Sequence, residues 1–266
     1  MSSVPSNANA STFPAWPVVF TLAQREVVRF LRQRNRVFGA VGQPVIFWLL
    51  FSEGLKPNDL DYGHFFPGTL VMILLFTAIF ATISVIEDRR EGFLQSVLVA
   101  PAPRWAMVLG KILGGATLAM LQALVFLALG WVTLGMQSGP LELIAGVLLM
   151  LVIAVALTGL GFVLAWRMDS TQGFHAIMSV FLLPMWLLSG AFFPAGGSGW
   201  LAWVVRLNPL TYGVAGLRRL VRVGEPAVVD TLPSLAVCWV VSLAFAAVLL
   251  AASWKIAETR STGDLL

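Results

Sequence analysis

The chain alternates between long stretches without a single charge and short segments that hold nearly all of them. Residues 65–86, 112–141, 143–166 and 231–254 contain no Asp, Glu, Lys or Arg, and residues 170–205 are interrupted only by His175. Each exceeds the roughly 20 residues a helix needs to cross about 30 Å of hydrocarbon. A further apolar stretch at 37–52 reaches spanning length only with Gly54 and Leu55 included. The pattern predicts an all-α polytopic membrane protein, with six transmembrane helices within residues 37–256.

Three segments break that rhythm. Residues 17–36 read as an amphipathic interfacial helix running toward Phe38. At 100° per residue Phe20, Ala23, Val27, Phe30, Leu31 and Phe38 share one face, while Arg25, Arg29, Arg32 and Arg36 share the other. Residues 87–99, between spans 2 and 3, open with alternating charge and continue with Phe93, Leu94, Val97 and Leu98 at helical spacing. Pro101 and Pro103 end the segment. A short helix held tightly between two spans is a rigid cytosolic handle. Residues 195–222 are too short in each half to cross a bilayer and too apolar for an ordinary loop. Split by Asn208-Pro209, they read as a re-entrant helical hairpin in the outer leaflet, between spans 5 and 6. Pro184 predicts a kink in span 5. Residues 1–16 and 257–266 read as cytosolic tails, the first disordered.

Composition agrees with lipid as the main solvent: mean hydropathy is +0.87, with 58% hydrophobic and 11% charged residues, against about 25% charged in a soluble domain. The pI of 9.8 is a topology signal. With six spans, Arg25, Arg29, Arg32, Arg34, Arg36, Arg89, Arg90, Arg104, Lys111, Arg167, Lys255 and Arg260 fall on one side. Lys56, Arg206, Arg218, Arg219 and Arg222 fall on the other. Twelve against five places both termini in the cytosol. The same distribution excludes nucleic acid as a partner and makes membrane lipid one. The single cysteine, Cys238, permits no intrachain disulfide.

Several chemistries are missing. No phosphate loop is present, since Gly110-Lys111 lacks the upstream glycine and the following Ser or Thr. The chain therefore is not expected to be an enzyme or to bind a cofactor. No span centre carries a charge of the kind ion-coupled carriers use. Gly196-Gly197-Ser198-Gly199 matches the G-x-S-G nucleophile pattern of rhomboid proteases, but no histidine follows Ser198 to serve as its base. Asp59, Asp61 and His64 lie in a loop rich in turn residues and lack a fourth ligand, so they read as a solvated turn and not a metal site. Gly110 and Gly114 form a G-x-x-x-G pair, read as helix packing.

Three motifs carry a resemblance. EDRREGFLQSVLVAPAPRWAMVLGK (87–111), LSGAFFP (188–194) and NPLTYGVAGLR (208–218) resemble signature stretches of the permease subunits of type-2 ABC exporters, the group of drug-export and nodulation-factor permeases. Phe93 stands where that family often has Thr. The resemblance implies a permease that pairs with a second copy of itself, as a homodimer, in the cytoplasmic membrane of a prokaryote. Two P-loop ATPase subunits would dock beneath it and hold the ATP and Mg. Glu87, Asp88, Arg89, Arg90, Glu91, Gly92, Phe93 and Leu94 would form the ATPase-coupling helix. Gly190, Phe192, Phe193, Pro194, Asn208, Pro209, Tyr212 and Arg218 would build the outer gate.

The implied cargo is amphiphilic, drug-like or lipid-linked, moved outward with ATP hydrolysed by the separate subunit. Phe47, Trp48, Phe76, Phe80, Phe181 and Trp186 are candidates to line its route, because aromatic faces tolerate varied apolar surfaces. A permease-like scaffold or sensor without transport would carry the same handle and hairpin. An ion-coupled carrier fits the uncharged spans less well.

Overall fold

The computed structural model describes residues 14–34, 62–100, 102–135, 137–191, 199–222 and 232–259, with isolated positions between 38 and 53. Every regular element among the described residues is helical. In chain order they are α1 (Ala15–Arg32), α2 (Tyr62–Arg90), α3 (Phe93–Val99), α4 (Arg104–Leu134) and α5 (Pro140–Trp166). There follow α6 (Thr171–Ala191), α7 (Trp200–Leu207), α8 (Pro209–Leu220) and α9 (Leu235–Thr259). Five of them, α2, α4, α5, α6 and α9, are long and apolar enough to cross a membrane. The remaining predicted span, at 37–55, falls largely outside the described residues.

α2 is the axis of the bundle. It is apolar on every side, and such a helix must be enclosed by protein or lipid. Here protein encloses it: α4 and α5 flank it along its length, and Leu70 to Leu75 are essentially inaccessible. α9 packs on α5 and turns Val237, Val240, Leu243 and Val248 outward, so its apolar surface faces away from the core.

α1 spans Ala15–Arg32, and positions 35 and 36 of the predicted helix lie outside the described residues. The side it seats against the bundle differs from the expected stripe. Val19, Leu22, Glu26 and Phe30 are buried against α4, while Phe20 and Leu31 are exposed. The cause lies in α4, where Gly110 and Gly114 bring the two backbones together. A Cβ at Gly110 would lie 2.9 Å from the Val19 carbonyl oxygen, and one at Gly114 would lie 2.7 Å from the Glu26 Cβ. The G-x-x-x-G pair is thus the seat of α1.

The kink predicted at Pro184 appears as something more elaborate. α6 has α-helical turns at Thr171–Ile177 and Leu183–Trp186, each followed by a π turn, Met178–Leu182 and Leu187–Ala191. Pro184 has no N–H to return to a carbonyl one turn earlier. Around it the ladder is widened by one residue, with Leu183 N–H donating to the Met178 carbonyl. The helix closes at Gly190, whose φ of 82° only glycine adopts without strain.

Candidate functional site

The handle at 87–99 is a corner and not one continuous helix. α2 runs through Arg90, turns at Glu91 and Gly92, and hands over to α3. Gly92 makes the turn with φ 74°, and most of the charges predicted for the handle lie on the last turn of α2. There Asp88 faces inward.

Asp88 is completely buried and joins three helices. It accepts from Arg25 through both carboxylate oxygens (2.8 and 3.0 Å), from Arg29 at 2.5 Å, and from Lys111 Nζ. Lys111, itself buried on α4, also donates to Glu26 Oε1 at 2.6 Å and to Ser84 Oγ at 3.4 Å. Arg29 further bridges Glu87 at 3.0 Å and Glu91 at 3.1 Å. The Arg25 guanidinium lies 3.7 Å over the Phe93 ring, a cation–π contact between α1 and α3. Three cations thus meet four carboxylates where α1, α2, α3 and α4 converge. Burying ions costs several kcal/mol each unless partners and hydrogen bonds compensate, and the buried Asp88, Glu26 and Lys111 have both.

The other side of the corner is tied as firmly. Arg89 donates to the Trp166 carbonyl at 2.5 Å, to the Met168 carbonyl at 3.4 Å and to Asp169 at 3.2 Å. Arg90 donates to the Asp169 carbonyl at 2.7 and 3.1 Å. Of the eight residues predicted to meet a partner, Asp88 and Leu94 are buried, and Glu87, Arg89, Gly92 and Phe93 are half-buried. Arg90 and Glu91 are exposed. Asp88, its charge met by Lys111 and two arginines, has no surface to offer. Exposure continues instead along α3 through Gln95, Ser96 and Val99, opposite the inward Leu94. Helical periodicity from Leu94 could have found that face; the partners Arg25, Glu26 and Lys111 carried no local signal.

At the opposite end, the NPLTY stretch folds as a brace between two short helices. Asn208 caps α8, its Oδ1 accepting from Leu210 N–H at 3.0 Å, with Pro209 in the first turn. Its Nδ2 crosses to the Met185 carbonyl in α6 at 2.6 Å. Thr211 and Tyr212 donate to the Val205 and Arg206 carbonyls at 2.6 and 2.9 Å, occupying the open end of α7. Arg218 reaches the Gly190 carbonyl at 3.2 Å and the His64 carbonyl at 3.3 Å. Gly190, Asn208, Tyr212 and Arg218 therefore belong to one cluster. Phe192, Phe193 and Pro194 lie outside the described residues, as does the Gly-rich turn.

The aromatic candidates divide. Trp186 is buried and donates to the Gly68 carbonyl at 2.8 Å. Trp48 is buried edge-on against Phe66 and Phe126. Both are built into the packing of the chain and not set along an open face. Phe76 and Phe80 are half-buried with centroids 6.0 Å apart, and Phe80 meets the His175 ring at 5.9 Å. Phe181 is exposed. Phe47 lies outside the described residues.

A family model described as "ABC-2 type transporter" matches residues 17–221, which takes in the α1 seat, the corner and the brace. The chain belongs to the ABC-2 type transporter family. It is 27% identical over 215 residues to "Putative transport permease ycf38" of Cyanophora paradoxa, an alignment covering 76% of this chain and 73% of that one. It is 30% identical over 168 residues to "Probable multidrug ABC transporter permease YbhR" of Escherichia coli K12. That alignment covers 62% of this chain and 45% of the relative. The chain is thus a multi-pass type-2 ABC permease, and membership implies an ATPase partner.

Proposed function

We propose that this permease exports an amphiphilic substrate across the cytoplasmic membrane, driven by ATP that a separate P-loop subunit binds with Mg and hydrolyses. Two copies of the chain pair, each above one ATPase subunit, with six spans per copy and both termini cytosolic. Residues 37–55 supply the first span. α1 lies at the inner interface, its exposed Trp16, Phe20 and Leu31 suited to the lipid boundary. α7 and α8 form the outer-leaflet hairpin, since 8 and 12 residues extend only about 12 and 18 Å, short of the bilayer.

The observation that carries this reading is the corner at Arg90–Val99. Its inner side is locked by ion pairs to α1 and α4, while Arg90, Glu91, Gln95, Ser96 and Val99 stand exposed. A rigid corner with one open side is what a soluble motor can push without bending it. Pushing it moves α1, α2 and α4 together, because Asp88 ties them to one another.

Reconstitution with the ATPase subunit tests the proposal. Glu91→Lys combined with Val99→Asp should abolish export of an amphiphilic dye while the ATPase subunit keeps its basal hydrolysis. Transport undiminished by that pair would refute the docking face. ATP hydrolysis with no movement of any amphiphile would favour a scaffold or sensor role, and export that follows a proton or sodium gradient without ATP would favour a carrier.

A further inference from the structure

The cations predicted on the outer side are unequal in how they are met. Arg222 pairs with Glu142 at 2.6 Å. Arg219 is spent on the Pro233 and Leu232 carbonyls at 2.9 and 2.8 Å. Arg206 lies 6.0 Å from the Trp203 ring. In Arg218 only Nη2 is engaged, by the carbonyls of His64 and Gly190, and its Nε–H is sealed from solvent without an acceptor. Arg222 also keeps a buried Nε–H without an acceptor, but Glu142 meets its charge; Arg218 has no such counter-ion among the described residues. A guanidinium held this way keeps much of its donor fork unused, and burial pulls its pKa below the ordinary arginine range.

Two independent features say what would meet it. On the exporter orientation, this arginine sits on the side where basic residues oppose the topology rule, among the few cations placed there. Beside it in the hairpin, α7 turns Trp200, Trp203 and Leu207 outward. Tryptophans of that kind settle at the headgroup level of a bilayer, which is the depth of lipid phosphates.

We propose that Arg218 is an anion-binding residue of the outer hairpin, taking the phosphate group of an acyl-chain amphiphile at headgroup depth. The proposal rests on the exporter reading and narrows its cargo to anionic amphiphiles. A phosphate offers oxygens in the plane the guanidinium fork matches, and the desolvated surroundings strengthen the pair. The two carbonyls on Nη2 fix the fork's orientation between α2, α6 and α8, so the site is formed before the ligand arrives.

The test uses the complete permease–ATPase complex in phosphatidylcholine vesicles and two probes of equal chain length, hexadecyl phosphate and hexadecanol. ATPase stimulation and probe movement are both read. Hexadecyl phosphate should half-stimulate at about a tenfold lower concentration, the size of one charge-assisted hydrogen bond. Arg218→Gln should erase that preference, and Arg218→Lys should restore part of it, keeping the charge without the fork. Phosphatidylglycerol added to the vesicles separates the sources of the phosphate. A right-shifted curve means a resident lipid competes for the site, and an unchanged curve means that the moving amphiphile alone fills it. A preference that survives Arg218→Gln overturns the proposal. So does an equal loss for both probes accompanied by a lower melting temperature, which would make Arg218 a structural tie. If neither probe stimulates or moves, the exporter reading fails. Binding of hexadecyl phosphate to the complex in detergent, lost in Arg218→Gln, would then still uphold the site.

Discussion

Lys111 is the buried cation between two buried carboxylates, Glu26 and Asp88, whose other counter-ions, Arg25 and Arg29, are only half-buried. Removing one member of such a cluster strands the others, at a cost of about 3 kcal/mol. Lys111→Met should therefore lower the melting temperature of the purified permease sharply, and adding Glu26→Gln should recover part of the loss. Glu91, exposed at the rim of the same cluster, should behave oppositely: Glu91→Gln should cost under about 1 kcal/mol. Thermal denaturation in detergent compares the two, and equal losses would contradict the burial argument. The acids at 87 and 88 were visible in the sequence as charge, but their direction was not. Asp88 meets Arg25 across 63 residues and Lys111 across 23, and no local periodicity encodes such distances. Asn208-Pro209 was more legible, because a capping side chain followed by proline states its geometry within two residues.

Elements that answer to lipid were plain in the sequence. Uncharged runs located α2, α4, α5, α6 and α9 because a bilayer filters composition over about 20 residues. How helices sit on each other was less plain. α1 seats on Gly110 and Gly114, where added Cβ atoms would collide with Leu22, Val19 and Glu26. Gly114→Val should push α1 off α4 at a cost of about 1–3 kcal/mol. Trypsin should then cleave after Arg25 and Arg29, sites that the seated helix shields; resistance equal to the parent protein would deny the seat. Within α6 the proline was legible and the paired π turns were not, since they depend on what the widened ladder meets. One partner is the Trp186 bond to Gly68. Trp186→Phe should cost about 1 kcal/mol and leave the order of preferred substrates unchanged, whereas Phe181→Ala, at an exposed position, should reorder it. Dose–response curves for a panel of amphiphiles distinguish packing from lining.

At the scale of the molecule, α2 joins the two sites. Its 29 residues extend about 43 Å, from His64 and Gly68 beside the Asn208 brace to Asp88 in the buried ion cluster. It is enclosed by α4 and α5 and has little freedom to bend. Neighbouring residues of α6 complete the link: Trp186 grips α2 at Gly68, and Met185 accepts from Asn208 of the brace. A push at the Arg90–Glu91 corner therefore has a continuous path of packed helix and hydrogen bonds to the hairpin. That continuity makes a distinguishing prediction. Glu91→Lys and Asn208→Ala lie at opposite ends and share no partner, so their effects on stability should add within about 0.5 kcal/mol. Their effects on export should not add. If one rigid path carries the stroke, breaking either end already removes most of it, and the double variant should export hardly less than the worse single one. Additive losses in export, measured with the ATPase subunit in vesicles, would mean that corner and brace act separately and that α2 is only their scaffold.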